Sequence, residues 1–203
     1  MSINAAKAVL KPDSVALLIC DVQQKFAKVI YEFDKMLCNS TKLVGALKLL
    51  DIPILITEQY PKALGHTVPE LAGCATNGPF HKTQFSMYTK EVCTELSKIC
   101  CGKPPESIIL IGIEAHVCVE NTAIDLKNNG FEVHTVADCC SSRSQEDRLL
   151  AFQRMHQFGC QITTSENVIF KLLKDSKHQH FKEIQKLIQS PSQYTGLATL
   201  SKI

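Results

Sequence analysis

No apolar run in the 203 residues reaches the length that a membrane-spanning helix needs, and no secretory-type apolar core opens the chain. We therefore expect no membrane partner and a reducing compartment. No two of the ten cysteines have C-x-x-C spacing, which removes the main support for a zinc ribbon or a thioredoxin-like site. There is no G-x-G-x-x-G and no G-x-x-x-x-G-K-[ST], and the first strand-to-helix turn, Asp21-Val22-Gln23-Gln24, has no glycine, so dinucleotide and P-loop readings lose their basis. A net charge of only +2 gives no electrostatic case for nucleic acid or a membrane surface. Internal repeats, low-complexity tracts and linkers are also lacking.

What is present is the composition of one soluble globular domain: 45% hydrophobic and 21% charged residues. Such a chain needs no disulfide framework, so the cysteines are read as free thiols, most of them packing. Val15–Cys20 is a continuous apolar run that stops at Asp21, as a strand buried on both faces would. Residues 54–57 and 108–111 read the same way, Phe131–Val136 is a further strand ending at Asp138, and Phe80–Phe85 and Cys160–Thr163 are shorter ones. Helical spacing fills the intervals. Expected helices run from Met36 (capped by Asp34), from Thr89, from Cys118, from Ser144, from Ser165 and from His178. Strands alternating with helices predict a three-layer α/β/α, Rossmann-like fold around a mostly parallel sheet of about six strands. We expect residues 1–13 as an N-terminal tail, 14–190 as the domain, and 191–203 as a C-terminal arm.

The stretch Ser107–Thr122 carries the chemistry. A buried strand stops at Gly112, and a helix is expected to begin at Cys118. A thiol at a helix N-terminus faces free N–H groups and the positive end of the dipole, which favour the nucleophilic thiolate. The alternative is one more buried thiol, since cysteine is among the most buried residue types. Asp21 stands at the carboxyl end of the first strand, where open α/β sheets place their ligands; it could equally be a helix cap. Lys82 could be an ordinary surface charge. Taken together, a carboxylate that accepts the thiol proton and a lysine that holds the thiolate fit nucleophilic acyl transfer. The long connection from Glu58 to Gly78 offers Tyr60, Leu64 and His66 as ligand-facing side chains, or is a solvated loop.

At these residues the sequence resembles the isochorismatase-like cysteine hydrolases, and among them the animal isochorismatase domain-containing proteins. LLICDVQQKF, TEQYPKALGHTVPEL, FHKTQFS, GIEAHVCVENTAIDLKNNGFEVHTVADCCSSRSQEDRL and HFKEIQKLI carry the resemblance, from Val15 to about Ile188. It implies Asp21 as general base, Lys82 as electrostatic partner and Cys118 as nucleophile. It also implies a cis peptide between Ile113 and Glu114, with the N–H groups of Glu114 and Cys118 as the oxyanion hole. Gln23, Phe26, Tyr60, Leu64 and His116 are the expected substrate contacts. The implied reaction is a metal-independent attack on a small amide through a Cys118 thioester. Nicotinamidases of this kind hold a metal with an Asp-x-His motif after the second strand; here that place reads Thr57-Glu58-Gln59-Tyr60, with only His66 and His81 nearby, so we expect no metal and no cofactor. Isochorismatases proper act on a vinyl ether and need no cysteine, so Cys118 argues against that reaction.

Two other functions compete: a protein-binding or regulatory module with little turnover, and a redox-sensing thiol protein. The latter requires a resolving cysteine near Cys118, which the sequence does not identify. The resemblance implies a homo-oligomer. We expect a cytoplasmic protein; Ser201-Lys202-Ile203, one change from the peroxisomal S-K-L signal, and the acid-free first twelve residues suggest the peroxisomal and mitochondrial alternatives.

Overall fold

The computed structural model describes residues 9–196. Most of the expected N-terminal tail, and the Ser201-Lys202-Ile203 tripeptide, lie outside the described residues. Six strands form the sheet: β1 (Val15–Cys20), β2 (Ile54–Gln59), β3 (Asn77–Lys82), β4 (Ser107–Ile113), β5 (Glu132–Ser141) and β6 (Gln161–Thr163). Their order is β3-β2-β1-β4-β5-β6, and every neighbouring pair is parallel. The chain runs outward from β1 to β3, then crosses back to start again at β4. The order therefore reverses between β1 and β4, and this opens a crevice at their carboxyl ends.

The helices are α1 (Phe33–Leu49), α2 (Pro61–Leu64), α3 (Lys90–Leu96), α4 (Glu120–Asn128), α5 (Gln145–Gln157), α6 (Ser165–Leu173) and α7 (Phe181–Ile188). α1 packs with α6 and α7 in one layer, and α4 with α5 in the other. This is the three-layer α/β/α architecture expected from the alternation of elements. Every residue of β1 and β4 is buried, because both faces of the central strands are covered. Fully burying each such Leu or Ile contributes about 1.5–3 kcal/mol, so the sheet centre is the main source of stability.

Several local expectations shift. α1 begins at Phe33 behind Glu32 in the left-handed region, so Asp34 lies inside its first turn rather than capping it. Ser165 is the first residue of α6; its side chain turns back to Asp138 instead of capping. β3 starts at Asn77 and ends at Lys82, where the sequence places a strand from Phe80 to Phe85. Thr89 and Ser144 do cap, accepting from Val92 N and Asp147 N. The connection after β2 is not structureless: it forms α2, and Val68 and Leu71 join the core.

Gly112 decides how closely β1 and β4 approach. It pairs with Cys20 at φ +127°, and a Cβ there would stand 2.1 Å from the Cys20 carbonyl oxygen. Only glycine fits at this point, where the site begins.

Candidate active site

The β1 run ends at Cys20, and Asp21 at φ 49° turns the chain out of the strand. Its carboxylate is almost wholly buried and is held on both oxygens. Thr57 Oγ1 donates to Oδ1 at 2.7 Å, and Lys82 Nζ donates to Oδ2 at 2.6 Å. Lys82 closes β3, so its ammonium reaches across the end of β2, where Gln59 Oε1 accepts from it at 2.7 Å. The carbonyls of Gln84 and Phe85 accept at 3.1 and 2.9 Å. The side chains of the pair are each 1% exposed. Burial works against the charged amine, but Cys20, Asp21 and Cys118 outweigh it, and the Lys82 pKa lies above the ordinary lysine value. The ammonium is therefore charged across the physiological range.

Cys118 arrives from the other side of the crevice. The Ile113–Glu114 peptide is cis. Ala115–Val119 then make a wide π-type turn, with Val119 N donating to Glu114 O at 3.2 Å, and α4 follows without a break. Cys118 thus lies within the widened first turn of a longer helix, not at its first residue as the spacing suggests. Single π turns of this kind occur often at functional sites. The Cys118 sulfur, the Cys20 sulfur and an Asp21 oxygen lie within 4.8 Å of one another. The three residues expected to act together are therefore brought together, from three strand ends that are distant in sequence.

Cys20, Thr57 and Gln59 were not foreseen in the site. Cys20 looked like the last apolar residue of a strand. The only sequence signal was its place beside Asp21 at a strand end. Thr57 pairs with Cys20 in the parallel register, which no sequence pattern reveals. Burial pushes the Cys20 thiol well up from its ordinary value, and Cys118 and Asp21 push it the same way.

The expected substrate contacts divide. Gln23 is fully buried and braces the site from behind: its amide donates to Gln59 O (3.0 Å) and Gly65 O (2.6 Å) and accepts from Gln59 N (2.8 Å). That amide is committed to the loop. Phe26 packs against the core edge. His116 is half-buried with Nδ1 2.9 Å from Ser142 Oγ, and Glu114 accepts from Arg143 N and Nε at 3.0 and 3.1 Å. Leu64 is half-buried at the end of α2. Tyr60 is exposed and, with His66, His81 and Lys82, lines a cavity of about 670 Å³. Asp21 and Cys118 are not among its lining residues, so this cavity lies beside the reacting groups, with Lys82 at the boundary. At Glu58, the place of the nicotinamidase metal motif, Oε1 accepts from Thr67 N and Oγ1 (2.7 and 2.8 Å); Oε2 faces His66 at 3.1 Å and His81 at 3.4 Å. The carboxylate thus anchors the loop. The other set of ligand-type atoms, Cys20–Asp21–Cys118, has the Lys82 ammonium on the Asp21 oxygen, which opposes a cation.

A thiol, a carboxylate and an ammonium gathered at the switch point of a parallel sheet mark a three-layer α/β hydrolase built around a cysteine. Residues 15–167 match the isochorismatase domain, and the chain belongs to the isochorismatase family. It is 48% identical over 187 residues to isochorismatase domain-containing protein 2 of Xenopus laevis, covering 92% of this chain and 89% of that one. To the Homo sapiens protein of the same name it is 44% identical over 190 residues, covering 93% and 90%. Among solved structures it resembles the MAR1 ribonuclease of Caenorhabditis elegans, with a TM-score of 0.88 and 45% identity over 97% of this chain and 100% of that one.

Proposed function

We propose that the protein is a metal-independent cysteine hydrolase of small amides, working through a thioester on Cys118. One observation carries this reading: the buried Asp21 carboxylate touches the Lys82 ammonium at 2.6 Å and shares its pocket with the Cys118 sulfur. Asp21 takes the thiol proton as the sulfur attacks the carbonyl carbon. The Lys82 ammonium supplies fixed positive charge in a water-poor site, where it acts at its strongest. The N–H groups of Glu114 and Cys118 receive the oxyanion. The intermediate collapses as Asp21 returns the proton to the departing ammonia or amine. Water, deprotonated by Asp21, then attacks the thioester, releases the acid and restores the thiol. From the family resemblance, His116, Tyr60, Phe26 and Leu64 are the candidate walls for the acyl group.

The likeness to the C. elegans ribonuclease raises a second reading, cleavage of a phosphodiester. A net charge of +2 offers a polyanion little long-range attraction, and a thiol beside a carboxylate is acyl-transfer chemistry. The test is selective alkylation. Cys118 should react with iodoacetamide at neutral pH much faster than the other cysteines, and lose that advantage in Asp21→Asn and Lys82→Met. Ammonia release from a panel of small primary amides, run beside an RNA substrate, then identifies the bond cleaved. Uniform labelling of the accessible cysteines, or RNA cleavage that survives Cys118→Ala, overturns the reading. From the family resemblance we also expect self-association, which light scattering of the purified chain measures directly.

A further inference from the structure

Cys20 has no part in the hydrolysis derived above, yet its sulfur stands inside the site. It ends β1, and Cys118 follows β4, the strand hydrogen-bonded to β1. Both sulfurs lie within 4.8 Å of each other, and the Cys20 S–H points to Asp21 Oδ2 at 3.6 Å. A disulfide needs the sulfurs at about 2.05 Å, so the pair must close by side-chain rotation and a shift of the wide turn that carries Cys118.

We propose that Cys20 is a resolving thiol, and that the Cys20–Cys118 pair is a site of reversible oxidation by peroxides that switches the hydrolase off. The proposal rests on the reading of Cys118 as an activated nucleophile. Asp21 takes the Cys118 proton as the sulfur attacks one peroxide oxygen; the O–O bond breaks, and the departing hydroxide or alkoxide takes that proton from Asp21 and leaves as water or alcohol. The sulfur is oxidised by two electrons to a sulfenic acid, and the peroxide is reduced by two. The Cys20 sulfur then attacks the Cys118 sulfur; the S–S bond forms, the S–O bond breaks, and oxygen departs as water. The Cys20 proton passes through Asp21 to that leaving hydroxide. Two equivalents of a small thiol reduce the disulfide and restore both groups.

The division of labour follows from the surroundings. Burial keeps Cys20 protonated, so it is not the first target of the oxidant. Cys118 has the Lys82 charge beside it and is the first to be oxidised. A sulfenic acid without a neighbouring thiol continues to sulfinic acid, which small thiols do not reverse. Cys20 therefore protects the nucleophile as well as silencing it.

The test treats reduced wild-type protein with a small excess of hydrogen peroxide, blocks remaining thiols with N-ethylmaleimide, and reads the peptides by mass spectrometry. The expected product is a Cys20–Cys118 linked peptide, with loss of Cys118 alkylation that dithiothreitol reverses. In Cys20→Ser the link should vanish and Cys118 should appear as a dimedone-trapped sulfenic acid, then as sulfinic acid that dithiothreitol leaves unchanged. If that variant does not fold, the wild-type peptide decides alone. Cys118 that over-oxidises equally fast with and without Cys20, or that links to a different cysteine, overturns the proposal and leaves the hydrolase reading intact. Cys118 that reacts with neither peroxide nor iodoacetamide overturns both.

Discussion

At the scale of single residues, the site depends on a buried ion pair whose members need each other. Removing one partner of such a pair leaves an uncompensated charge and costs about 3–5 kcal/mol. Lys82→Met should therefore lower stability by about that amount as well as abolish the fast alkylation of Cys118. Combining it with Asp21→Asn should recover part of the stability but none of the reactivity. Urea unfolding of the three variants measures this, and a Lys82→Met protein as stable as wild type would contradict the buried pair. Another buried group matters only for folding. His134 sits in β5 with neither ring nitrogen partnered among the described residues, and burial pushes its pKa down to about 4. Below pH 6.5 the unfolded chain binds a proton that the folded chain refuses, so stability falls with pH until about pH 4. Between pH 7 and pH 5 this amounts to about 2 kcal/mol. His134→Phe should flatten that part of the curve. An equal loss in wild type and variant would assign the acid sensitivity to other groups.

At the scale of elements, the strand and cap signals were legible where a single side chain decides them. The apolar runs at Val15 and Ile108 are strands because nothing polar interrupts them, and Thr89 and Ser144 cap because their hydroxyls meet free N–H groups. Asp34 and Ser165 look equally good as caps but are not, because their neighbours draw them elsewhere: Glu32 turns the chain two residues earlier, and Asp138 takes the Ser165 hydroxyl. The widened turn at Cys118 left no sequence signal, since a π turn and an α turn use the same residue types. Gly112 is the element-scale test. Gly112→Ala pushes a Cβ into the Cys20 carbonyl, so β1 and β4 must part at the site; it should destabilise severely and slow Cys118 alkylation. Gly73→Ala, also at positive φ but with open space around it, should cost only about 1 kcal/mol. Thermal denaturation of the two variants side by side separates close packing from backbone strain.

At the scale of the whole molecule, the segment that ends the described residues is tied to the domain by a buried cation. Arg148 is fully buried and uses all five N–H groups on neutral acceptors: Cys140 O, Gln145 Oε1, Ala137 O, Thr195 O and Thr195 Oγ1. Asn39 bonds to the backbone of Gln193, and Lys42 to the carbonyls of Ser190 and Pro191. Residues 191–196, the described part of the segment expected as a C-terminal arm, lie against α1, β5 and α5. Ending the chain after Ser190 strips Arg148 of two acceptors and should destabilise by about 3 kcal/mol or more. Arg148→Met should be much less sensitive to the same truncation, and equal losses in both backgrounds would deny the tie. The alternation of buried strands and amphipathic helices, read from the sequence alone, settled the layers and the parallel sheet, while the resemblance to the family rested on the long ordered motifs around Asp21, Lys82 and Cys118. Asp21 was legible because a polar residue at the end of an apolar run is conspicuous in one dimension; Cys118 was marked by its place after a strand and turn, and Lys82 by the family motif around it. The sequence could not say that Cys20 faces Cys118, that Gln23 braces a loop, or that Thr57 holds Asp21. Those contacts join strands tens of residues apart, and they exist only once the sheet order and register are set. Register is a property of pairing between segments, so the folded sheet decided it and no single segment could.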